Sequence, residues 1–316
     1  MKIPDYSDIE AAARRIAPFA HRTPVMNSAW FNHLTGAEVF FKCENFQKVG
    51  AFKFRGACNA IAALTSEQGR RGIVTHSSGN HGQAVALAAR LHSYPATIVM
   101  PDNSARVKIA AVREYGAQVS LCRPGMASRE AAVEEICRNS GALFIPPYDD
   151  PLVVAGQGTA ARELLEAHPD LDFILVPVGG GGLLGGTAIA ARHLAPKIRV
   201  IATEPKHADD AWRSFRSGRI EPAASTETVA DGLRATLGRL NFAIMQQLVD
   251  DVVTVEEAAI ISAMRAVWER MKIIIEPSCA VPVAALTEGL IDVTDRRVGV
   301  ILTGGNVDLD HLPWTG

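Results

Sequence analysis

The chain has 316 residues, of which 48% are hydrophobic and 21% are charged, and its formal net charge is −2. This length and apolar content predict the buried core of one large domain or two moderate domains. The nearly balanced charge supplies no basic surface for nucleic acid or an anionic membrane, so we expect a small molecule or a second copy of the chain as partner.

The cysteines and the N-terminal segment predict a cytoplasmic protein. There are five cysteines, an odd number, and none forms a CxxC pair, which is typical of free thiols in a reducing compartment. The N-terminal segment contains acids and a proline and lacks the apolar core of a signal peptide, so it predicts an amphipathic helix. No stretch reaches the roughly 18 apolar residues that a membrane span needs.

Short apolar segments alternate with helical patterns, which predicts α/β architecture with parallel sheets covered by helices on both faces. The predicted strands are residues 72–76, 96–101, 118–122, 142–147, 173–178, 199–205 and 298–304. The predicted helices are residues 80–92, 106–115, 128–139, 158–167 and 183–194. The alternation is most regular over 72–147, which predicts a small α/β domain inserted into a large domain of residues 1–62 and 150–316. A cleft between two lobes is a common small-molecule site.

The first motif in chain order is Gly50–Ala57, in which Lys53 stands between Phe52 and Phe54. Apolar, partly desolvated surroundings lower the pKa of an amine, as an imine-forming lysine requires. The pattern alone leaves the ordinary alternative open, because most lysines are solvated surface residues.

The second motif, Thr75–Gln83, follows a predicted strand and opens a predicted helix. Its hydroxyls, its amide and the free N–H groups of the helix start suit a carboxylate. The alternative is a cap cluster in which Ser78 or Asn80 caps the helix, and a lone His81 is more often structural than catalytic.

The third motif is a run of four glycines, Gly179–Gly182, between an apolar strand and a helix. Without Cβ atoms, successive N–H groups converge at the positive end of the helix dipole, which suits a phosphate. The run is neither a Walker A loop nor a GxGxxG motif. A tight turn with close helix–sheet packing is the structural alternative, and a dinucleotide is the competing ligand.

The fourth motif, Leu302–Asn306, ends the last predicted strand, where Thr303 either directs its hydroxyl into the cleft or forms a simple turn. Together and in this order, the four motifs resemble those of fold-type II pyridoxal-phosphate (PLP) enzymes, which have two doubly wound parallel-sheet lobes with the cofactor in the cleft. Within that group, the chain is most similar to serine racemase and the short serine/threonine dehydratases. The likeness extends from His21–Val25 to Gly304–Leu309.

The resemblance implies a cofactor site. Lys53 holds PLP covalently and removes the Cα proton of the substrate, and Phe52 packs on one face of the ring. Asn80 bonds the 3-hydroxyl oxygen, Thr303 bonds the pyridine nitrogen and Gly179–Gly182 hold the phosphate. A neutral hydroxyl at the pyridine nitrogen makes the cofactor a weaker electron sink, which favours fast loss of a β-hydroxyl over transamination.

The resemblance also implies a substrate site. Ser77, Asn80 and His81 belong to the loop that takes the substrate carboxylate. Ser78 corresponds to the second base of the racemases, on the face opposite Lys53.

A metal site is implied by the segment Glu204–Asp210, which resembles the racemase segment that binds Mg²⁺ or Ca²⁺. Glu204 and Asp210 then supply carboxylates and Ala208 a backbone carbonyl to Mg²⁺, Ca²⁺ or Mn²⁺. Without the resemblance, the same residues fit equally well a helix start with acids in its first turn.

The expected reaction is the elimination of water from L-serine or L-threonine and hydrolysis of the released enamine to a keto acid and ammonia, with serine racemase activity as a second reaction in a homodimer. The alternative is a 3-hydroxyaspartate dehydratase. Two residues bear on it: Ala235 replaces a substrate-facing serine, and Arg129 either pairs with a second substrate carboxylate or is a solvated helix residue. A nucleotide-binding oxidoreductase and a PLP-binding regulatory module are the competing classes.

Overall fold

The computed structural model describes residues 2–314, which form two sheets flanked by helices. The strands are β1 (Val25–Asn27), β2 (Glu38–Cys43), β3 (Ile73–His76), β4 (Ala96–Pro101), β5 (Gln118–Cys122), β6 (Leu143–Phe144), β7 (Phe173–Pro177), β8 (Arg199–Pro205), β9 (Asp251–Val255) and β10 (Arg297–Leu302). The helices are α1 (Tyr6–Ile16), α2 (Ala29–Thr35), α3 (Lys53–Ala62), α4 (Ser66–Arg70), α5 (Asn80–Leu91), α6 (Arg106–Glu114), α7 (Met126–Ser140), α8 (Pro151–Ala167), α9 (Gly182–Leu194), α10 (Asp210–Ser217), α11 (Arg239–Leu248), α12 (Glu257–Met271) and α13 (Pro277–Thr287).

The larger sheet has the strand order β1-β2-β10-β7-β8-β9. Its pairs are parallel, apart from the antiparallel pair of β1 with β2. Hydrophobic clusters cover both faces, with α12 and α13 on one side and α1, α8, α9 and α11 on the other. Burial on both faces explains why β7 is an unbroken apolar run rather than an alternating one.

The smaller sheet has the order β5-β4-β3-β6 with parallel pairs, and α5 and α7 pack on its opposite faces. The predicted α/β class with two parallel-sheet lobes is therefore confirmed. The expected strand at 142–147 is much shorter, since β6 holds only two residues. Pro146 and Pro147 lack the N–H groups that a longer strand would need.

Helix α8 packs against both α3 and α9 and fixes their positions relative to each other. A Cβ atom on Gly156 would lie 2.6 Å from Cα of Gly56 in α3, and one on Gly158 would lie 2.8 Å from the carbonyl oxygen of Gly186 in α9. These glycines let α3 and α9 approach the backbone of α8 directly. The first turns of α3 and α9, which carry Lys53 and the glycine run, are thereby fixed relative to one helix.

Candidate active site

Lys53 begins α3 at the carboxyl end of β10. The Phe52 N–H donates to the Thr303 carbonyl at 3.0 Å, and Ala51 forms a bridge with Gly304, so this helix start is tied to the end of the strand. Thr303 itself is buried. The first and fourth sequence motifs, which lie near opposite ends of the chain, therefore meet in one place.

The amine of Lys53 lies in desolvated surroundings. Its Nζ donates to the Pro147 carbonyl at 2.7 Å and lies 5.2 Å from the ring centroid of Phe52. Burial lowers the pKa of Lys53 to about 8, against the opposing effect of the Glu276 carboxylate. The expected second aromatic neighbour is different, because Phe54 packs into the core and the ring near the amine is that of Tyr148, at 6.0 Å.

Asn80 is held by two partners that the sequence patterns did not identify. Its Nδ2 donates to both carboxylate oxygens of Glu276, at 2.9 and 3.1 Å. Its Oδ1 accepts from Nδ2 of Asn306 at 2.9 Å. These contacts fix the orientation of the amide. The two oxygens belong to one carboxylate and share a single N–H of Asn80, so its other N–H is left for a further acceptor. Burial raises the pKa of Glu276 to about 7.

The Ser77–His81 loop follows β3. Gly79 caps α5 without a side-chain hydrogen bond, so the alternative in which Ser78 or Asn80 serves as the cap is wrong. Ser77 and Ser78 are half-buried, and Oγ of Ser77 accepts from the Gly79 N–H at 3.2 Å. The hydroxyl of Ser78 is therefore not used to cap the helix.

His81 is buried and neutral. Its Nε2 lies 3.1 Å from the Ile145 carbonyl, and burial lowers its pKa to about 3. Because a carbonyl requires a donor, Nε2 carries the proton and the buried, unpartnered Nδ1 is an acceptor. In this tautomer the ring offers no free donor to a carboxylate, so hydroxyls and N–H groups of the loop would do so.

The structure supports both interpretations of the glycine run. Cβ atoms on Gly179 and Gly181 would lie 2.9 Å from Leu233 and 2.7 Å from Asn241, so the loop is closely packed. Gly181 also has a φ of 89°, which favours glycine. On the other side, none of the N–H groups of Gly179–Gly182 donates to an acceptor within residues 2–314. Buried, unpaired donors at the start of α9 fit a phosphate.

Arg129 lies near the second motif, in the first half of α7. Its Nε is buried without a partner, and no carboxylate of the described residues pairs with its guanidinium. Its charge contributes to lowering the pKa of His76, after the larger effect of burial. The side chain is half-buried, so the structure leaves open both the partner of a second substrate carboxylate and the partly solvated helix residue.

The Glu204–Asp210 segment combines a helix start with buried acid. Glu204 accepts from the N–H groups of Ala211 at 3.0 Å and Trp212 at 2.8 Å. Asp210 accepts from the Leu237 N–H at 2.9 Å, and its other oxygen is buried without a partner. Burial raises the pKa of Asp210 to about 6 and that of Glu204 well above its ordinary value.

Both oxygens of Glu204 therefore cap the start of α10, and the buried Oδ1 of Asp210 is the oxygen that is left without a partner. No group of three or more His, Cys, Asp or Glu side chains in residues 2–314 forms a metal site.

In the same part of the chain, no helix is long and apolar enough to cross a membrane.

Tyr148, Glu276 and Asn306 are the site residues that sequence reasoning missed. Each lies outside a helical or strand pattern or at its edge, and each reaches the site through contacts with distant segments. Asn306 stands in the fourth sequence motif, but the sequence assigned no role to it or to the other two residues.

Comparison with known proteins agrees with this geometry. The family described as "Pyridoxal-phosphate dependent enzyme" matches residues 16–304. The beta-hydroxyaspartate dehydratase of Paracoccus denitrificans is 46% identical over 99% of this chain and 100% of its own length. The structure of serine racemase from Dictyostelium discoideum has a TM-score of 0.94 at 46% identity, covering 98% of this chain and all of that one. The structure of maize serine racemase has a TM-score of 0.96 at 45% identity, covering 98% and 95%.

Proposed function

Because the chain belongs to the family of pyridoxal-phosphate dependent enzymes, we propose that it is an ammonia-lyase for L-serine or L-threonine, with serine racemisation as a second reaction. Water is eliminated first, and hydrolysis of the released enamine then takes up water and gives keto acid and ammonia. The observation that carries the proposal is that one site contains both a desolvated amine, that of Lys53, and the buried, unpaired N–H groups of Gly179–Gly182. When bound, the cofactor supplies the electron sink that makes the Cα–H bond of the substrate acidic.

The residues of the chain divide the remaining work. Lys53, with its pKa near 8, exists partly as the neutral amine at neutral pH and so accepts the Cα proton. Asn80 and Thr303 would hold the polar atoms of the cofactor ring, and the glycine run would hold its phosphate. The Ser77–His81 loop binds the substrate carboxylate, and the uncommitted hydroxyl of Ser78 serves as the second base in racemisation.

The test is a substrate screen of the purified holoenzyme with L-serine, L-threonine and 3-hydroxyaspartate at equal concentration, measuring keto acid and ammonia. Borohydride reduction followed by peptide mapping should place the cofactor on Lys53. Absence of label at that position, or absence of keto acid from every substrate, would exclude the proposal and favour an oxidoreductase or a non-catalytic module.

A 3-hydroxyaspartate dehydratase is the second candidate, and the state of Arg129 favours it. An unpaired, half-buried guanidinium offers a bidentate partner to a second carboxylate. Arg129→Ala should then raise KM for 3-hydroxyaspartate far more than for L-serine. Arg138→Ala, which removes an exposed arginine from the same helix, is the matched control. Equal effects on both substrates would reject this candidate.

A divalent cation bound by Glu204, Asp210 and the Ala208 carbonyl is also part of the proposal, supported by the unpartnered oxygen of Asp210. Mg²⁺ or Ca²⁺ should raise the melting temperature of EDTA-treated protein, because a ligand of the folded state stabilises it by mass action. Asp210→Asn should abolish the increase, and Asp209→Asn should keep it. An increase that survives Asp210→Asn would place the ion elsewhere.

We further propose a cytoplasmic homodimer. Support for the dimer comes from Phe46 and Ile274, which are 45% and 47% exposed and lie on adjacent segments, since Asn45 Nδ2 donates to the Ile274 carbonyl at 3.1 Å. Exposed apolar side chains on neighbouring segments suit a second copy of the chain. Light scattering on the wild type and on Phe46→Asp tests the assembly, and a monomeric wild type would contradict it.

A further inference from the structure

The segment that leads from β6 to α8 contacts both ends of the candidate active site. The Pro147 carbonyl accepts from Lys53 Nζ at 2.7 Å. The Asp149 carboxylate accepts from the N–H groups of Arg239 at 3.1 Å and Leu240 at 3.0 Å, at the start of α11. Tyr148, between them, therefore has its backbone fixed from both sides.

The ring of Tyr148 packs directly on the glycine run. A Cβ atom on Gly180 would lie 2.3 Å from Cγ of Tyr148, so only glycine permits this approach of ring and backbone. The centroid of the same ring lies 6.0 Å from Nζ of Lys53. One aromatic ring thus packs against the glycine run and also lies near the amine.

Asn241 also contacts the glycine run, through the carbonyl of Gly180. Its Nδ2 donates to the Gly180 carbonyl at 2.7 Å and to the Tyr148 carbonyl at 3.2 Å. The Gly180 carbonyl also accepts from the Gly238 N–H at 3.1 Å. Because a peptide unit is planar, fixing the Gly180 carbonyl also fixes the direction of the Gly181 N–H.

We propose that Tyr148 is a positioning residue for the cofactor phosphate, whose ring keeps the N–H groups of the glycine run converged at a set distance from Lys53. The inference rests on the proposed function, because it takes a phosphate as the ligand of Gly179–Gly182. The ring carries the role, since the Tyr148 hydroxyl has no hydrogen-bond partner among residues 2–314.

The experiment compares two probes on the apoprotein, pyridoxal phosphate and pyridoxal, which lacks the phosphate. The dissociation constant of pyridoxal divided by that of pyridoxal phosphate measures the contribution of the phosphate site independently of turnover. Tyr148→Phe should keep the wild-type ratio. Tyr148→Ala should lower it about tenfold or more, since loss of one charge-assisted hydrogen bond has this effect. Tyr115→Ala, which removes a half-buried ring from the small lobe, should leave it unchanged.

Each other outcome is decisive. An unchanged ratio in Tyr148→Ala would overturn the role of the residue, and equal losses in Tyr148→Phe and Tyr148→Ala would assign it to the hydroxyl instead. If Tyr148→Ala does not fold, Tyr148→Leu, which fills the space without a flat ring, replaces it with the same expected loss. A wild type that binds both probes equally would reject the proposed function itself, which is a separate failure.

Discussion

At the residue scale, the environment of position 53 makes the reactivity of its amine depend on pH in a defined way. With a pKa of about 8, about one tenth of the Lys53 side chains are neutral at pH 7, whereas an ordinary lysine is almost wholly charged there. Because only the neutral amine attacks an aldehyde, covalent attachment of pyridoxal phosphate to apoprotein should speed up about tenfold per pH unit below 8 and level off above it.

The measurement is a stopped-flow series of absorbance changes from pH 6 to 10. Lys53→Ala is the control, which should show no covalent product and no turnover while retaining some non-covalent binding. A midpoint near the ordinary lysine value would show that the amine is solvated in solution.

Ser78 gives a second residue-scale prediction, because its hydroxyl is not engaged in capping α5. If it is the base on the face opposite Lys53, Ser78→Ala should reduce racemisation of L-serine at least about a hundredfold more than its elimination, the lower end of the usual contribution of a general acid or base. Chiral chromatography and keto-acid release measure the two rates on the same sample. Ser77→Ala is the neighbouring control, and equal losses of both reactions in Ser78→Ala would contradict the division of labour.

At the scale of elements, the helix that carries Lys53 is anchored by a buried network of charges. Arg55, two residues further along α3, is fully buried and pairs with Glu44 through Nε at 2.7 Å and with Glu163 of α8 through Nη1 at 2.7 Å. Lys42 of β2 also pairs with Glu163, at 2.6 Å. The network joins β2, α3 and α8, and α3 is the helix that begins at Lys53.

Arg55→Met should therefore destabilise the protein strongly, because the buried carboxylate of Glu44 loses its guanidinium partner and the half-buried carboxylate of Glu163 keeps only Lys42. Removing one member of a buried ion pair costs about 3–5 kcal/mol. Urea denaturation of the apoprotein measures the free energy of unfolding. Arg71→Ala, which breaks the exposed pair with Glu67, should change it by less than about 1 kcal/mol. Similar small effects of both substitutions would show that the network is not stabilising.

At the scale of the whole molecule, the order of residues along the chain predicted the fold class, but it did not predict side-chain contacts between segments that are distant in the sequence. Alternating strands and helices were enough for the parallel α/β class, whereas neighbouring residues alone left Lys53 ambiguous and its role came from the family resemblance of the ordered motifs. The contact of Asn80 with Glu276 spans 196 positions, so no local pattern reports it. Tyr148 directly follows the segment that the prediction assigned to a strand, and only the folded arrangement shows its ring on Gly180.

Burial of Glu276 makes the stability of the molecule depend on pH, because desolvation raises the pKa of this carboxyl although the hydrogen bond from Asn80 opposes the rise. The folded protein keeps Glu276 protonated up to about pH 7, whereas the unfolded chain releases this proton near the ordinary value of 4.5. Between these values the folded state binds more protons, so the contribution of Glu276 to the free energy of unfolding falls as pH rises, and it stays constant above the window. His81 acts in the opposite sense, because its pKa is lowered to about 3 in the folded state.

Glu276→Gln separates these effects, since every other titrating group is common to both proteins. Its free energy of unfolding relative to wild type should increase by about 3 kcal/mol from about pH 4.5 to about pH 7.5, because one pKa unit corresponds to about 1.4 kcal/mol. Denaturant titrations of metal-free apoprotein at closely spaced pH values measure the difference. Glu269→Gln, at an exposed carboxyl whose pKa is lowered by Arg265, should give no increase in this window. Parallel stability curves for wild type and Glu276→Gln would mean that the buried carboxyl is ionised throughout, and that Asn80 is held by a charged partner.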